Sequence, residues 1–456
     1  MRLSRPPPLL PHPTMLKYPY TPQPIPKKGP SMKTVAIIAE YNPFHKGHAH
    51  HLKTAKALTG ADYAVIILSG PFTQRGLPAL TDKYTRAKMA LKNGADLVLE
   101  LPVPYATGSA EAFAQGAVSI LEALGCIDAL CFGSECGDLK TLLTYARLFN
   151  EEPKDYQSLL QFHLKQGLSF PAARSRAAEE YLNYTTHVCI CSQEDADCRH
   201  ESEILQHPNN ILGIEYCRAL LSRQSAIRPL TIRRASSGYH DTTMDTAFAS
   251  ASAIRKTITE EGLSPSVKAQ LPPASYEALK EAFRLCPPLT LDDFSPILFD
   301  RLLLLSSKDL QSFQDVSPDL ASRIENHRFQ FTSVSAFADL LKTKAFTHSR
   351  ITRCLCHILL RLYQSDLDTW KSQGWPVYLR PLGFRESAAP LLSAIKQKSA
   401  SPLLVKAADA PFLLTPSVLA LFEKEVQAAH IYEAAKVCRY GAPFAHAYRQ
   451  SPIILP

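Results

Sequence analysis

No uninterrupted apolar run in this 456-residue chain approaches membrane-spanning length, which excludes a helical membrane span. No signal-peptide apolar core is apparent near the start, and the eleven cysteines form no regular framework. A chain this long needs no covalent staples, so the cysteines are expected to be free thiols in a reducing cytoplasm. Zinc spacing is missing too. His187, Cys189, Cys191, Cys198 and His200 cluster, but C-x-C followed by C-x-H matches no common zinc signature, and no metal site is assigned. Acidic residues are absent from Met1 to Ser31, which is dominated by proline and lacks helical or strand periodicity. This stretch is expected to be a disordered extension without catalytic function, with Met32 an alternative start.

What is present is an ordinary globular composition, 46% apolar and 20% charged, with a net charge of +8. The length allows two or three domains. The charge permits a polyanionic partner such as RNA without demanding one. The most informative stretch is Val35-Ala36-Ile37-Ile38-Ala39-Glu40-Tyr41-Asn42-Pro43-Phe44-His45-Lys46-Gly47-His48. Val35 to Ala39 has strand length and apolarity, Asn42-Pro43 is turn chemistry, and Ala49 to Leu58 suits a helix stopped by Gly60. A strand feeding a helix N-terminus presents free N–H groups and the positive end of the helix dipole to an anion. His45 and His48 add donors for phosphate oxygens, and Gly47 lets a ligand approach the backbone. This strand–turn–helix resembles the His-x-Gly-His signature of the nucleotidylyltransferase superfamily. The resemblance implies ATP binding, attack on the α-phosphate and release of pyrophosphate.

Strand and helix alternate after Val35, which predicts a parallel sheet. Strands are expected at 64–68, 95–102, 129–132 and 228–234. Ser69 to Gly76 forms a polar loop at the second strand's C-terminal end, where open α/β sheets bind ligands, so Arg75 is a candidate for a phosphate or carboxylate. A helix is expected from Thr81 to Asn93, with Arg86 and Lys88 on its exposed face. Gly133, ending the fourth strand, allows adenine or ribose to pack on backbone. Asn209 or Asn210 is an N-cap candidate for the helix running to Leu221, and a second amide beside it suits a purine edge. Ser250, Ser252 and Arg255 open a late helix and suit a phosphate; Ser250 as an ordinary cap is the alternative.

Glu260 to Pro272 reads as a polar, proline-bearing domain break. Beyond it the periodicity is helical. Between Ala321 and Ala400 basic residues outnumber acidic ones by twelve to five, and Lys342, Lys344, Arg350 and Arg353 cluster. A solvated basic face and a nucleic-acid surface are both consistent with this. Cys354, Cys356 and His357 read as helix packing. Pro411 to Pro456 carries no recognisable site.

Several stretches together carry a more specific resemblance: Ile38 to His48, Ser69-Gly70-Pro71-Phe72-Thr73-Gln74-Arg75-Gly76, Phe132-Gly133-Ser134-Glu135, Pro208-Asn209-Asn210-Ile211-Leu212-Gly213 and Ser236-Ser237-Gly238-Tyr239-His240-Asp241. Lys342-Thr343-Lys344 and Arg380-Pro381-Leu382-Gly383 fit more loosely. The sequence thus resembles the tRNA(Met) cytidine acetate ligase family from about Met32 to near the C-terminus. The resemblance implies that ATP and acetate form acetyl-adenylate, and that the acetyl group passes to N4 of the wobble cytidine of elongator tRNA(Met). The family's ATP-binding positions carry over to Ile38, Ala39, Glu40, Tyr41, Asn42, Pro43, Phe44, His45, Lys46, Gly47, His48, His51, Gly133, Asn210, Arg234 and Ala235. Ala235 departs from the family, which usually has a larger apolar residue there; a backbone contact survives that change and a side-chain contact does not.

Within this reading His45 and His48 stabilise phosphates, while Ser252 and Arg255 face the leaving pyrophosphate. The expected partners are tRNA, ATP (with Mg2+) and acetate, with no membrane and no obligate protein partner. The fold class is α/β: a Rossmann-like parallel-sheet nucleotidyltransferase domain at 32–265, followed by a mainly α-helical tRNA-binding domain at 266–456. A small-molecule adenylyltransferase and a non-catalytic RNA-binding protein on a relic nucleotide fold are the competing classes. A tRNA-binding assay separates the first, and acetate-dependent ATP–pyrophosphate exchange the second.

Overall fold

Alternation along the first strand divides the protein into two apolar layers. In β1 (Thr34–Ala39) the side chains of Val35 and Ile37 join one buried cluster, while Ala36 joins the other. Successive side chains of a strand point to opposite faces, so a strand buried on both faces needs a continuous apolar run. β2 (Tyr63–Ser69) repeats the pattern, with Ala64, Ile66 and Leu68 on the face of Val35, and Val65 and Ile67 on the face of Ala36. The computed structural model describes residues 32–189, 204–234, 248–343 and 346–456. The expected extension at 1–31, Ala235, Ser236 to Asp241 and Lys344 lie outside the described residues, as do the side chains of the His187–His200 cluster.

The sheet has seven strands in the order β5-β4-β1-β2-β3-β6-β7. β3 (Leu97–Leu101), β4 (Ala129–Ser134) and β5 (Arg228–Arg233) complete the parallel part that the sequence predicts. The order reverses at β1, whose neighbours are β4 and β2, and this is the switch point at which open sheets bind ligands. Helices Ala110–Leu124 and Pro208–Ser222 cover the face of Ala36. Helices Lys46–Thr59, Lys83–Lys92 and Ala251–Glu261 cover the face of Val35.

The last two strands were not expected. β6 (Pro381–Arg385) pairs antiparallel with β3, and β7 (Ile453–Leu455) pairs parallel with β6, so chain beyond residue 265 completes the sheet. Within Glu260–Pro272 the chain is partly helical. Helix Pro265–Gln270 follows closely, and Val267 and Leu271 are buried in the cluster of β1 and β2. A third cluster is helical and lies wholly within the later half, except for Phe72 and Val103. Cys354, Cys356 and His357 pack inside it, with His357 bonding through its ring nitrogens to the Gln314 and Thr107 carbonyls.

The C-terminal region holds the sheet by buried charges. Helix Pro416–Tyr440 presents Glu425, which pairs with Lys83 at 3.0 Å and accepts from the Val103 N–H at 2.9 Å. Lys83 also pairs with Glu100, and Arg380 reaches Glu100 at 3.3 Å. All four side chains are buried. Leaving Lys83, Glu100 or Arg380 unpaired would strand a charge in an apolar interior.

Candidate active site

The turn after β1 builds the site. Tyr41 takes a left-handed conformation (φ +45°), and the Asn42–Pro43 peptide is cis. The turn is tied down by Asn42, whose Oδ1 accepts the Leu80 N–H at 2.8 Å. Arg86 reinforces it, contrary to the expectation that it faces solvent. It is fully buried and donates to the carbonyls of Glu40 (2.8 Å), Ser69 (3.0 Å), Thr81 (3.2 Å) and Gly70. Helical periodicity shows which face a residue occupies but not that the neighbouring face is roofed by strand ends. A guanidinium has five donors, so it can satisfy several carbonyls where strands terminate.

His45 caps helix Lys46–Thr59. Its Nδ1 accepts the Gly47 N–H at 3.0 Å, while the His45 N–H donates to His48 Nδ1 at 3.3 Å. A backbone N–H can only donate, so each ring is neutral with its proton on Nε2. The rings lie 3.7 Å apart between centroids. Burial, aided by Arg234 and Arg255, lowers the His45 pKa to about 3. His48 is held well below the usual range by burial, His45 and Arg234, against the opposing pull of the Pro43 carbonyl. His51 is lowered to about 4, again by burial first. Neutral imidazoles donate hydrogen bonds to phosphate without adding like charge beside the arginines. Gly47 is required for this packing, since a Cβ there would lie 2.8 Å from His45 Cε1.

His45, Gly47, His48, His51, Gly133 and Arg234 line one cleft at the sheet's C-terminal edge, closed on one side by Phe248. His50 stacks on Phe248 with ring centroids 5.6 Å apart. Gly133 stands beneath Arg234, whose Cγ would sit 3.2 Å from an added Cβ. The fold therefore brings the early motif together with β4 and the end of β5.

Asn210 is neither an N-cap nor a free amide. His207 and Pro208 begin the helix, and the buried Asn210 side chain accepts the N–H groups of Glu135 (2.9 Å) and Cys136 (3.1 Å) while donating to the Ile204 carbonyl at 3.2 Å. Glu135 returns the contact, accepting from the Asn210 N–H at 2.8 Å and from Asn209 Nδ2 at 2.6 Å. Asn209 Oδ1 then takes the Arg234 guanidinium at 3.4 Å. Asn210 thus shapes the loop after β4. Glu135 is a functional candidate that the sequence reading quoted without giving it a role.

The late element reaches the early one directly. Arg255 donates to the Asn42 carbonyl at 2.8 Å and to Ser252 Oγ at 3.1 Å. Ser250 serves as the helix cap, accepting the Ala253 N–H at 3.0 Å. Among the described residues no group of three or more His, Cys, Asp or Glu side chains is arranged to hold a metal ion, and no helix is long and apolar enough to cross a membrane.

The basic stretch is less free than composition suggests. Arg323 donates to the Leu340 and Leu341 carbonyls, Arg328 to that of Leu305, and Arg353 pairs with Asp315 at 2.9 Å. The first two satisfy carbonyls at helix C-termini, where cations are favoured. Lys342 and Arg361 are exposed, and Arg350 is partly so.

Comparison with known proteins agrees with this architecture. Residues 32–441 match the model of the HIGH Nucleotidyl Transferase family. The tRNA(Met) cytidine acetate ligase of Halothermothrix orenii is 40% identical over 374 residues, covering 82% of this chain and 87% of that protein. The enzyme of the same name from a Thermoanaerobacter species is 40% identical over 406 residues, covering 89% and 96%. Among solved structures, Thermotoga maritima TmcAL in its apo form superposes with a TM-score of 0.86 at 32% identity, covering 93% of this chain and all of that one. The same protein bound with alpha-thio ATP gives 0.84. With its strand order, its histidine-capped first helix and these relatives taken together, the chain belongs to the tRNA(Met) cytidine acetate ligase family of HIGH nucleotidyl transferases.

Proposed function

We propose that this protein activates acetate with ATP and transfers the acetyl group to N4 of the wobble cytidine of elongator tRNA(Met). The observation that carries this reading is the pair of neutral imidazoles, His45 and His48, fixed at a helix N-terminus on the sheet's switch point. ATP lies in the cleft with adenine and ribose toward Gly133 and Arg234, and Mg2+ arrives on the triphosphate. An acetate oxygen attacks the α-phosphorus, and the bond to the bridging oxygen of the β-phosphate breaks. The Nε2–H groups of His45 and His48, with Arg255 and Ser252, stabilise charge developing on the phosphates. Such transfers depend on positioning and electrostatics more than on covalent help from the protein.

The cytidine N4 amine then attacks the acetyl carbonyl, AMP leaves, and the nitrogen loses one proton. Exposed cations of the later half, Lys342 and Arg361 among them, hold the tRNA backbone, an interaction that weakens with salt. The α-thio ATP complex of the Thermotoga relative supports the nucleotide assignment. Acetate-dependent exchange of pyrophosphate into ATP, without tRNA, tests the first step. Exchange that requires acetate supports the reading, and exchange indifferent to acetate overturns it.

A further inference from the structure

His51 lines the cleft three residues beyond His48, on the same helix. A neutral imidazole donates from one nitrogen only, so what it offers a ligand is set by what its other nitrogen meets. We propose that the Cys131 thiol, standing beneath the cleft, is a positioning residue: it fixes His51 as the Nδ1–H tautomer and so sets the donor that this ring presents to the nucleotide. This rests on the nucleotide-binding part of the proposed function.

The contact is direct. Cys131 Sγ lies 3.6 Å from His51 Nε2. Cys131 belongs to β4 and is fully buried, in the cluster that also holds Val35, Ile37, Leu52 and Ala55. That cluster fills the space between the sheet and helix Lys46–Thr59. Gly133 follows two residues later on the same strand, hence on the same face, and it lines the cleft. Cys131 therefore stands one step below the cleft floor. It does not line the cleft itself, but its sulfur reaches a side chain that does.

The contact also has a direction. Burial pushes the Cys131 thiol up to about 12, and burial first holds His51 down at about 4, so both partners are neutral. A thiol sulfur is a weak acceptor, whereas the unprotonated imidazole nitrogen is a good one, so the bond runs from S–H to Nε2. The ring proton then sits on Nδ1. His45 and His48 are set the opposite way, because their Nδ1 atoms accept backbone N–H groups and their protons sit on Nε2. Three histidines spaced three apart thus present donors from different edges of their rings. A thiol acting only as a small apolar side chain would impose no tautomer on His51.

The test is heteronuclear NMR of isotope-labelled histidine rings, beside titration with ATP alone. The His51 signals are identified by their loss in His51→Gln. In the unaltered protein His51 is expected to show a protonated Nδ1. Cys131→Ser keeps a donor, and is expected to keep that tautomer and to bind ATP within about twofold of the unaltered protein. Cys131→Ala and Cys131→Val lack the donor. Both are expected to move His51 toward Nε2–H and to raise the Kd for ATP by about two- to tenfold, the effect of one lost hydrogen bond. A protonated Nε2 on His51 in the unaltered protein overturns the proposal, and that result needs no variant to fold. An unchanged tautomer in Cys131→Ala and Cys131→Val, or equal weakening in all three variants, also overturns it, since the thiol then serves packing alone. An unaltered protein that binds no ATP is a different failure, that of the nucleotide reading itself.

Discussion

Glu135 and Asn210 hold each other in both directions: the Asn210 side chain accepts the Glu135 N–H, and the Glu135 side chain accepts the Asn210 N–H. The clasp joins the end of β4 to the start of helix Pro208–Ser222 and, through Asn209, presents Arg234 to the cleft. Asn210→Ala leaves the Glu135 and Cys136 N–H groups without that acceptor in a partly buried setting. The expected cost is about 1–3 kcal/mol of stability, with weaker ATP binding. Urea unfolding and nucleotide titration read both. Asn210→Asp, which keeps the acceptor but brings a second carboxylate beside Glu135, is expected to do no better than alanine.

His48→Ala removes an Nε2–H donor at the phosphates. Adenylate formation should fall by about 10²–10³-fold, the usual effect of losing one preorganised donor. tRNA affinity should stay nearly unchanged, because the exposed cations proposed to hold tRNA lie in the other half. A single-turnover assay of pyrophosphate release beside a tRNA filter-binding curve checks the two halves of the statement. Parallel loss in both would show that the roles are not separable.

The buried histidines give a pH dependence with a definite sign. Unfolded histidine titrates near ~6.5, whereas the folded values are about 3 for His45 and about 4 for His51, with His48 also well below the usual range. Between these limits the unfolded chain binds more protons than the folded one, so stability falls as pH drops below the unfolded value. His45→Gln removes one such proton. Its stability should decline less steeply from pH 6.5 to 4.5, by up to about 1.4 kcal/mol per pH unit. Identical slopes for both proteins in chemical denaturation would contradict the buried, neutral assignment.

Glu425 ties the C-terminal helix to the sheet through Lys83 and the Val103 N–H. Its carboxyl is raised to about 8, by burial first and then by the neighbouring Glu100. Lys83→Met leaves Glu100 with Arg380 alone and removes the cation nearest Glu425. The expected loss is about 3–5 kcal/mol, as for breaking a buried pair. Replacing the exposed Lys308 by Met should cost little on the same measurement.

The parallel core was legible because strands buried on both faces must be apolar at every position, and Val35 to Ala39 or Ala64 to Leu68 are. His45-Lys46-Gly47-His48 was legible because a local turn builds it. Arg86 was misread, since its carbonyl partners come from three separate segments that only folding brings together. Asn210 was misread as an N-cap candidate for the same reason, as its acceptor role depends on Glu135, 75 residues away. β6 and β7 were missed because they are short, and of the two only β7 is an edge. Their partners are β3, each other and helix Lys83–Lys92, and no local period marks five or three residues. Compositional counting also overstated the free basic surface, because several arginines satisfy carbonyls or pair with acids.

The most direct measurement is nucleoside analysis of elongator tRNA(Met) after incubation with the protein, ATP and labelled acetate. The account predicts label in N4-acetylcytidine at the wobble position, with one AMP and one pyrophosphate formed per acetyl group and no label when ATP is omitted. Intact ATP and tRNA binding without labelled cytidine, or hydrolysis to ADP and phosphate instead, would contradict it.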